Sequence, residues 1–186
     1  MPELPDVSVY LERLAAKVVG RRLDRVRIGH PFLLRSVTPP ISAVEGQVVS
    51  GVERLGKRIV LAFAGDLFLV FHLMIAGRLQ WLIPGAKETA RNALAFLVFD
   101  GGTLAFTEAG KQRRASLHVV AGRTALAALD AGGIDVMAAP RDAFAARLVA
   151  ENHTVKRALT DRACSAASAM RIPTRSCIAR GCRRWH

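Results

Sequence analysis

Residues 58–73 read R-I-V-L-A-F-A-G-D-L-F-L-V-F-H-L. Two apolar runs, 58–63 and 67–73, stand on either side of the turn tripeptide A-G-D at 64–66. Short runs rich in Val, Ile, Leu and Phe that are separated by a glycine-containing turn are typical of two antiparallel strands joined as a hairpin. The stretch therefore predicts the centre of a β-sheet.

Six further strand-like runs lie on both sides of this hairpin at short, regular spacing. Turn residues separate several of them, as D-G-G does at 100–102. Many short strands with turn signals between them predict an antiparallel sandwich or barrel of about eight strands. The additional predicted strands are 23–29, 47–55, 79–83, 93–99, 103–107 and 116–120.

Helical periodicity appears before and after the strands. Asp6 can cap a helix through 7–19, where apolar residues recur at helical spacing until Gly20. After Gly122 the pattern turns helical again. We therefore expect a mainly β fold with α: an N-terminal helix plus an eight-stranded antiparallel β-sandwich, followed by a truncated helical segment. The later helical runs are 124–130, 141–150 and the opening of 152–161.

Length and charge narrow the class of protein. A chain of 186 residues suits one domain or slightly more. The net charge of +12 and the pI of about 11.1 favour a polyanionic partner, most often nucleic acid, over a merely solubilising surface charge. No long apolar run or secretion signal occurs, so we expect a cytoplasmic protein without a membrane span.

The opening M-P-E-L-P-D carries a candidate nucleophile. Removal of Met1 would leave Pro2 with a secondary α-amine, and an α-amine has a pKa of about 8, roughly two units below a lysine amine. Its unprotonated form attacks electrophilic carbon, and Glu3 could exchange a proton beside it. The alternative is an ordinary solvated tail.

Four motifs follow one another along the chain: P-E-L-P-D-V (2–7), L-G-K-R-I-V (55–60), F-H-L-M-I-A-G-R-L (71–79) and N-H-T-V-K-R-A-L-T-D (152–161). In this order they resemble motifs of the formamidopyrimidine-DNA glycosylase / endonuclease VIII family. They match its opening, its lysine-containing strand motif, its hairpin and the first helix of its helix-two-turn-helix module. The resemblance implies a bifunctional base-excision repair enzyme that removes oxidised bases and cuts the resulting abasic site.

The resemblance also implies catalytic roles. Pro2 would attack C1′ of the damaged nucleotide, the base would leave, and the resulting iminium ion would permit strand cleavage by β- and then δ-elimination. Glu3 would protonate the sugar ring oxygen. Lys57 would hold a flanking phosphate and assist proton transfer, although a lysine between two strands is also an ordinary turn residue.

The hairpin loop M-I-A-G, flanked by His72 and Arg78, resembles the loop with which the family fills the gap left by a flipped-out base. The position aligned with the family's methionine wedge is Ile75. Met74 stands just before it and is also apolar, with core packing of the hairpin as its alternative role. We expect His72, Met74 and Ile75 to contact DNA.

A second loop departs from the family. The usual T-D-P-R-R-F-G is replaced by T-E-A-G-K-Q-R-R-A at 107–115. Arg113 or Arg114 could still pair with the orphaned opposite base, but Ala115 stands where the family has an aromatic wedge, which leaves the preferred lesion open. The candidates for phosphate contacts, each of which could instead be a solvated surface charge, are Lys111, Arg113, Arg114 and Lys156.

The tail 162–186 does not follow the family's pattern. Codons can be chosen for it so that one cytosine inserted after the Asp161 codon yields P-R-L-F-S-G-I-G-N-A-Y-P-D-E-I-L-H-R-A-R-L-S-P-V-A, which resembles the family's continuation. We therefore expect the tail to be frameshifted. The expected domains are a catalytic β-sandwich at 1–122, a linker and the start of the helix-two-turn-helix at 123–161, and this tail.

The same interpretation leaves this chain without the family's C-terminal zinc finger. The three cysteines, all within the tail, lack the paired spacing of a zinc site, so we expect no cofactor or metal. The expected partner is double-stranded damaged DNA, bound by a nucleoid-associated monomer of reduced or no activity. Two alternatives are a non-catalytic damaged-DNA-binding fragment and, less consistent with the strands and charge, a tautomerase-like enzyme with an N-terminal proline.

Overall fold

The computed structural model of the chain describes residues 4–84, 92–110, 113–130, 139–150 and 154. Within these residues one helix precedes eight strands, and two shorter helices follow them. The elements are α1 (Leu4–Val18), β1 (Leu23–Ile28), β2 (Val49–Leu55), β3 (Arg58–Phe63), β4 (Leu67–His72), β5 (Gly77–Leu82), β6 (Ala93–Phe99), β7 (Gly102–Glu108), β8 (Ser116–Ala121), α2 (Arg123–Ala127) and α3 (Arg141–Val149).

The strands form two antiparallel sheets of four strands each. Their orders are β1-β6-β7-β5 and β2-β3-β4-β8. One continuous apolar core contains residues of both sheets and of α1. Phe71 of β4 meets Phe106 of β7 edge to face across this core, with ring centroids 5.7 Å apart. The predicted mainly β fold, with an N-terminal helix and an eight-stranded antiparallel sandwich, is confirmed.

The hairpin of 58–73 lies in the middle of its sheet. Ile59 pairs with Phe71, which in turn pairs with Leu117 of β8, and all three side chains belong to the core. The neighbouring residues Val60 and Val70 point to the opposite face and are nevertheless fully buried. Burial on both faces explains why these strands read as continuous apolar runs instead of alternating ones.

The first helix begins earlier than the sequence predicted. Asp6 was expected to cap it, but α1 already includes Leu4 and Pro5, so Asp6 lies in the first helical turn. Proline is compatible with a first turn because the amide hydrogen it lacks has no helical acceptor there. The predicted end at Gly20 holds, since this residue has a φ of 77° and its N–H donates to the Val49 carbonyl oxygen at 2.9 Å.

The second helical region is shorter than the pattern indicated. Residues 124–130 were expected to be helical, whereas α2 ends at Ala127. The helix predicted at 141–150 is present as α3. The run 152–161, apart from Thr154, and the whole tail 162–186 lie outside the described residues.

The chain divides into two compact units, residues 1–128 and 129–186. The first contains both sheets with α1 and α2, and α3 belongs to the second. The three domain ranges expected from the sequence stay predictions. In the described part of the chain, none of the helices has the length and apolar character needed to cross a membrane.

Candidate functional site

Lys57 lies in the tight turn that joins β2 to β3. Leu55 and Arg58 are the last paired residues of the two strands, and Gly56 turns the chain with a φ of 59°. Only glycine adopts such a left-handed conformation at little cost. The glycine therefore allows the shortest connection, which holds Lys57 at the end of the sheet.

His72 ends β4 at the same end of the sheet. It pairs with Ser116, the first residue of β8, and is buried with a relative exposure of 8%. Since Ile59 and Phe71 are also partners, the start of β3, the end of β4 and the start of β8 are adjacent. The pairing thus brings the Lys57 turn and His72 to one edge of the sandwich.

The loop between β4 and β5, expected as a hairpin, is a tight turn that crosses from one sheet to the other, in which the Gly77 N–H donates to the Leu73 carbonyl oxygen at 2.9 Å. Met74 takes a left-handed conformation with a φ of 53° and is half-buried. Ile75 is 62% exposed. The Arg78 guanidinium donates to the backbone carbonyl oxygens of Gly77 at 2.7 Å and Ile75 at 3.4 Å, which ties this side chain to the backbone of the loop.

The loop after β7 begins beside the turn between β4 and β5. Glu108 pairs with Gly77, and the Ala109 N–H donates to the Ala76 carbonyl oxygen at 3.5 Å. Where the loop returns to β8, Arg113 and Arg114 are both exposed. The two connections that cross between the sheets, 73–76 and 109–115, therefore start and end at the same edge as Lys57 and His72.

The structure thus brings six of the candidate residues to one edge of the sandwich. They come from a strand turn, a strand end and two loops that are distant in sequence. The remaining candidates, Pro2, Glu3, Lys111 and Lys156, lie outside the described residues. The six that converge are Lys57, His72, Met74, Ile75, Arg113 and Arg114.

Ala115, the residue aligned with the aromatic wedge that the sequence resemblance finds missing here, lies in the core. Only 4% of its surface is exposed. A side chain at this position enters the protein interior, so the position offers no wedge toward a ligand. A pattern of short apolar strands cannot reveal this, because the direction of a loop residue is set by tertiary contacts.

His118 is a polar residue near this edge that the sequence reading did not single out. It lies on β8 two residues after Ser116, whose hydroxyl is 3.4 Å from His118 Nε2. Burial lowers the pKa of His118, and the positive charges of Arg58 and Arg35 lower it further. The neutral imidazole is therefore favoured. The two-residue spacing of Ser116 and His118 in a predicted strand already indicates that their side chains share one face of the sheet.

Glu108 is the second residue that was missed. Its carboxylate is almost completely buried and accepts hydrogen bonds from backbone N–H groups of the loop 109–115. No sequence pattern indicates such a contact. Across the described ranges, His, Cys, Asp and Glu form no group of three or more that could hold a metal ion. The tail cysteines are not among the described residues.

A family model for the formamidopyrimidine-DNA glycosylase N-terminal domain matches residues 1–115. The chain belongs to this family. The matched range contains α1, β1 to β7 and both edge loops. It covers every candidate residue except Lys156.

Curated relatives carry the same family name. The formamidopyrimidine-DNA glycosylase of Corynebacterium jeikeium is 34% identical over 110 residues, which are 58% of this chain and 38% of the relative. That of Symbiobacterium thermophilum is 35% identical over 113 residues, 60% of this chain and 37% of the relative. That of Moorella thermoacetica is 26% identical over 166 residues, 87% and 61% of the two chains. The first two matches thus span less than two fifths of the relatives' length.

Solved structures of this family share the fold. The Lactococcus lactis Fpg in complex with an abasic-site-containing DNA matches with a TM-score of 0.79 at 18% identity, covering 89% of this chain and 62% of that one. The complex of the same protein with a FAPY-dG-containing DNA gives the same TM-score and identity, with 63% of its chain covered. Identity this low, with such a TM-score, shows that the architecture is shared.

Proposed function

We propose that the chain is the nucleophile-bearing lobe of a base-excision repair DNA glycosylase that also has abasic-site lyase activity. Its substrate class is double-stranded DNA with oxidised bases of the formamidopyrimidine or 8-oxoguanine type. The observation that carries the proposal is the convergence of Lys57, His72 and the two crossing loops on one edge. Family membership and the net charge of +6 that residues 1–161 keep when the six arginines of the tail are left out (12 − 6) support a polyanionic substrate.

Pro2, exposed by removal of Met1, acts as the nucleophile. Its nitrogen bonds to C1′ and loses its proton to the departing base as the bond to that base breaks. Glu3 then protonates the sugar ring oxygen, and the bond between that oxygen and C1′ breaks to open the ring. The resulting iminium ion draws electrons from C2′, so this carbon loses a proton and the 3′ phosphate leaves by β-elimination. A secondary amine suits this step because its iminium ion keeps a positive charge without a removable N–H proton.

The course of α1 supports a position of its first turn, which begins at Leu4, near Lys57. The helix packs against β2 and β3, and its C-terminal end is fixed beside Val49, the first residue of β2, through the hydrogen bond from Gly20. A helix of 15 residues is about 22 Å long. The seven residues of β2 span about 23 Å. A helix of this length that lies antiparallel along β2 has its first turn near the far end of the strand, where Lys57 lies.

The roles of Lys57 and His72 are those that the family resemblance implies, and those of Ile75, Arg113 and Arg114 also fit their exposure. The Lys57 ammonium neutralises a phosphate next to the lesion and assists proton transfer at the sugar, while His72 binds the DNA backbone. Ile75 enters the gap left by the extruded base. Arg113 and Arg114 face the orphaned base or its phosphates.

Borohydride trapping tests the chemistry. Reduction of the iminium ion by borohydride links the protein covalently to a duplex with a pre-formed abasic site. We expect weak trapping by the chain, much slower trapping by Pro2→Gly, whose primary α-amine can still form an imine, and a loss of at least about 100-fold in rate for Lys57→Ala, as for a missing proton-transfer group. Lys17→Ala, at an exposed lysine in the last turn of α1, is the matched control and should trap normally.

Two results would contradict the proposal. Trapping by Pro2→Gly as fast as trapping by the unchanged chain would contradict the role of Pro2 as the nucleophile. Salt-dependent binding of abasic duplex without any trapping would instead favour a non-catalytic damaged-DNA-binding fragment. On a duplex that still carries an oxidised purine we expect little or no adduct, and full-strength trapping there would show that this expectation of reduced activity is wrong.

A further inference from the structure

The loop that carries Arg113 and Arg114 is longer than the family pattern it resembles. In T-D-P-R-R-F-G one residue separates the acidic residue from the arginine pair, whereas the four residues 109–112 do so here. A longer loop has more conformations to lose when it is ordered. Two arginines at its far end would therefore be poorly placed unless another contact fixes them.

Glu108 provides such a contact. Its carboxylate Oε1 accepts a hydrogen bond from the Arg114 N–H at 3.1 Å, and the Ala115 N–H lies 3.3 Å from both Oε1 and Oε2. The residue is only 2% exposed. A buried carboxylate is strongly disfavoured unless hydrogen-bond donors compensate its charge, so opening the loop would leave this group unsatisfied.

The other side of Glu108 is held by the sheet. It is the last residue of β7, its N–H donates to the Asn92 carbonyl oxygen at 3.0 Å, and it pairs with Gly77 of β5. The carboxylate is thus attached to a fixed strand while it binds the backbone of the loop. It connects the end of the loop to β7, which pairs at Gly77 with β5, the strand that follows the turn carrying Ile75.

We propose that Glu108 is a positioning residue that fixes the backbone at 114–115 and thereby orients Arg113 and Arg114 toward the base opposite the lesion. The inference rests on the proposed function of the edge. In this proposal, Arg113 and Arg114 distinguish the bases opposite the lesion, and the Glu108 contact places them so that they can do so. Side-chain length matters here, because aspartate would draw the carboxylate back by about 1.5 Å, one carbon–carbon bond.

Binding of the full chain to duplexes with a tetrahydrofuran abasic-site analogue opposite each of the four bases measures this effect. We expect Glu108→Gln, which keeps the shape of the side chain but removes its charge, to weaken binding to the preferred duplex by about tenfold. It should also reduce the preference among opposite bases. Glu53→Gln is the matched control, since it removes the same charge from a carboxylate bound to Arg123 and should leave the preference unchanged.

A double-mutant cycle separates positioning from general destabilisation. If Glu108 acts through Arg113 or Arg114, Glu108→Gln should have little further effect on the opposite-base preference in a chain that already carries Arg113→Ala and Arg114→Ala. Full additivity of the two effects would overturn the proposal. Unchanged preference in the single Glu108→Gln variant would overturn it as well.

Amide hydrogen exchange tests the contact without DNA. In Glu108→Gln the amides of Arg114 and Ala115 should exchange at least about tenfold faster, while the amide of Val119 on β8 stays protected. Unchanged exchange would refute the anchoring. Faster exchange in a chain whose wild type binds none of the duplexes would support the anchor and contradict the proposed function, so the two failures are distinguishable.

Discussion

Gly77→Ala should disrupt the tight turn between β4 and β5 that carries Ile75. A Cβ at this position would lie 2.2 Å from the carbonyl oxygen of Leu73 and 2.9 Å from both its Cα and its carbonyl carbon. All three atoms are backbone, and the same carbonyl oxygen accepts the hydrogen bond that closes the loop. Relief of the overlap therefore requires a backbone shift of nearly 1 Å. We expect a loss of about 3 kcal/mol in the free energy of unfolding, at the upper end for overpacking.

Urea unfolding measures this loss. With an m value of about 2 kcal/mol per molar, the expected shift of the midpoint is about 1.5 M. Trp81 on β5 reports the unfolding of the sandwich when Trp185 is replaced by phenylalanine in every variant. Gly51→Ala is the matched control, because no atom lies within 4 Å of its Cβ position and its φ is not positive. A Gly77→Ala variant as stable as Gly51→Ala would refute the steric argument.

Three further perturbations probe the same unit. Ala115→Phe should destabilise the fold by about 1 to 3 kcal/mol in urea, since the position is buried in the core, and should leave DNA binding no tighter. Because the pKa of His118 is lowered on folding, its contribution to stability is present above the unfolded pKa of about 6.5 and is lost as the pH falls below it. His118→Gln should remove this loss from urea midpoints measured between pH 7 and pH 5. Arg123→Met should raise the pKa of Glu53 toward 4.5, because the guanidinium donates to both carboxylate oxygens, and carboxyl NMR titration would detect the change.

The strands were predictable because their signals are local. Short apolar runs such as 58–63 and 67–73 favour buried strands because they are rich in β-branched and aromatic residues and end at a glycine-containing turn. The order of strands within the two sheets is not a local property. It depends on which runs pair across the chain, as β1 does with β6 and β4 with β8. The positions of the strands could therefore be predicted from the sequence, whereas their pairing partners are known only from the structure.

The candidate edge was predictable only in part. Lys57, His72 and the M-I-A-G loop could be named because motifs carry them. The role of Glu108 could not, since its partners at 114 and 115 follow only after a loop has folded back on it. A local signal can also mislead. Asp6 is of a residue type that caps helices, but it lies inside the first turn because the helix already begins at Leu4.

The edge differs from the family pattern at Ala115 and at Ile75, and both differences affect how a gap in DNA would be filled. Ala115 is in the core, so the second loop offers arginines but no apolar wedge. Met74 is half-buried and constrained by its left-handed backbone, whereas Ile75 is 62% exposed and its carbonyl oxygen accepts a hydrogen bond from Arg78. Under the proposed function, filling the gap would therefore depend on Ile75. Since a β-branched side chain is stiffer than methionine, this wedge loses less entropy on insertion but adapts less to the shape of the gap.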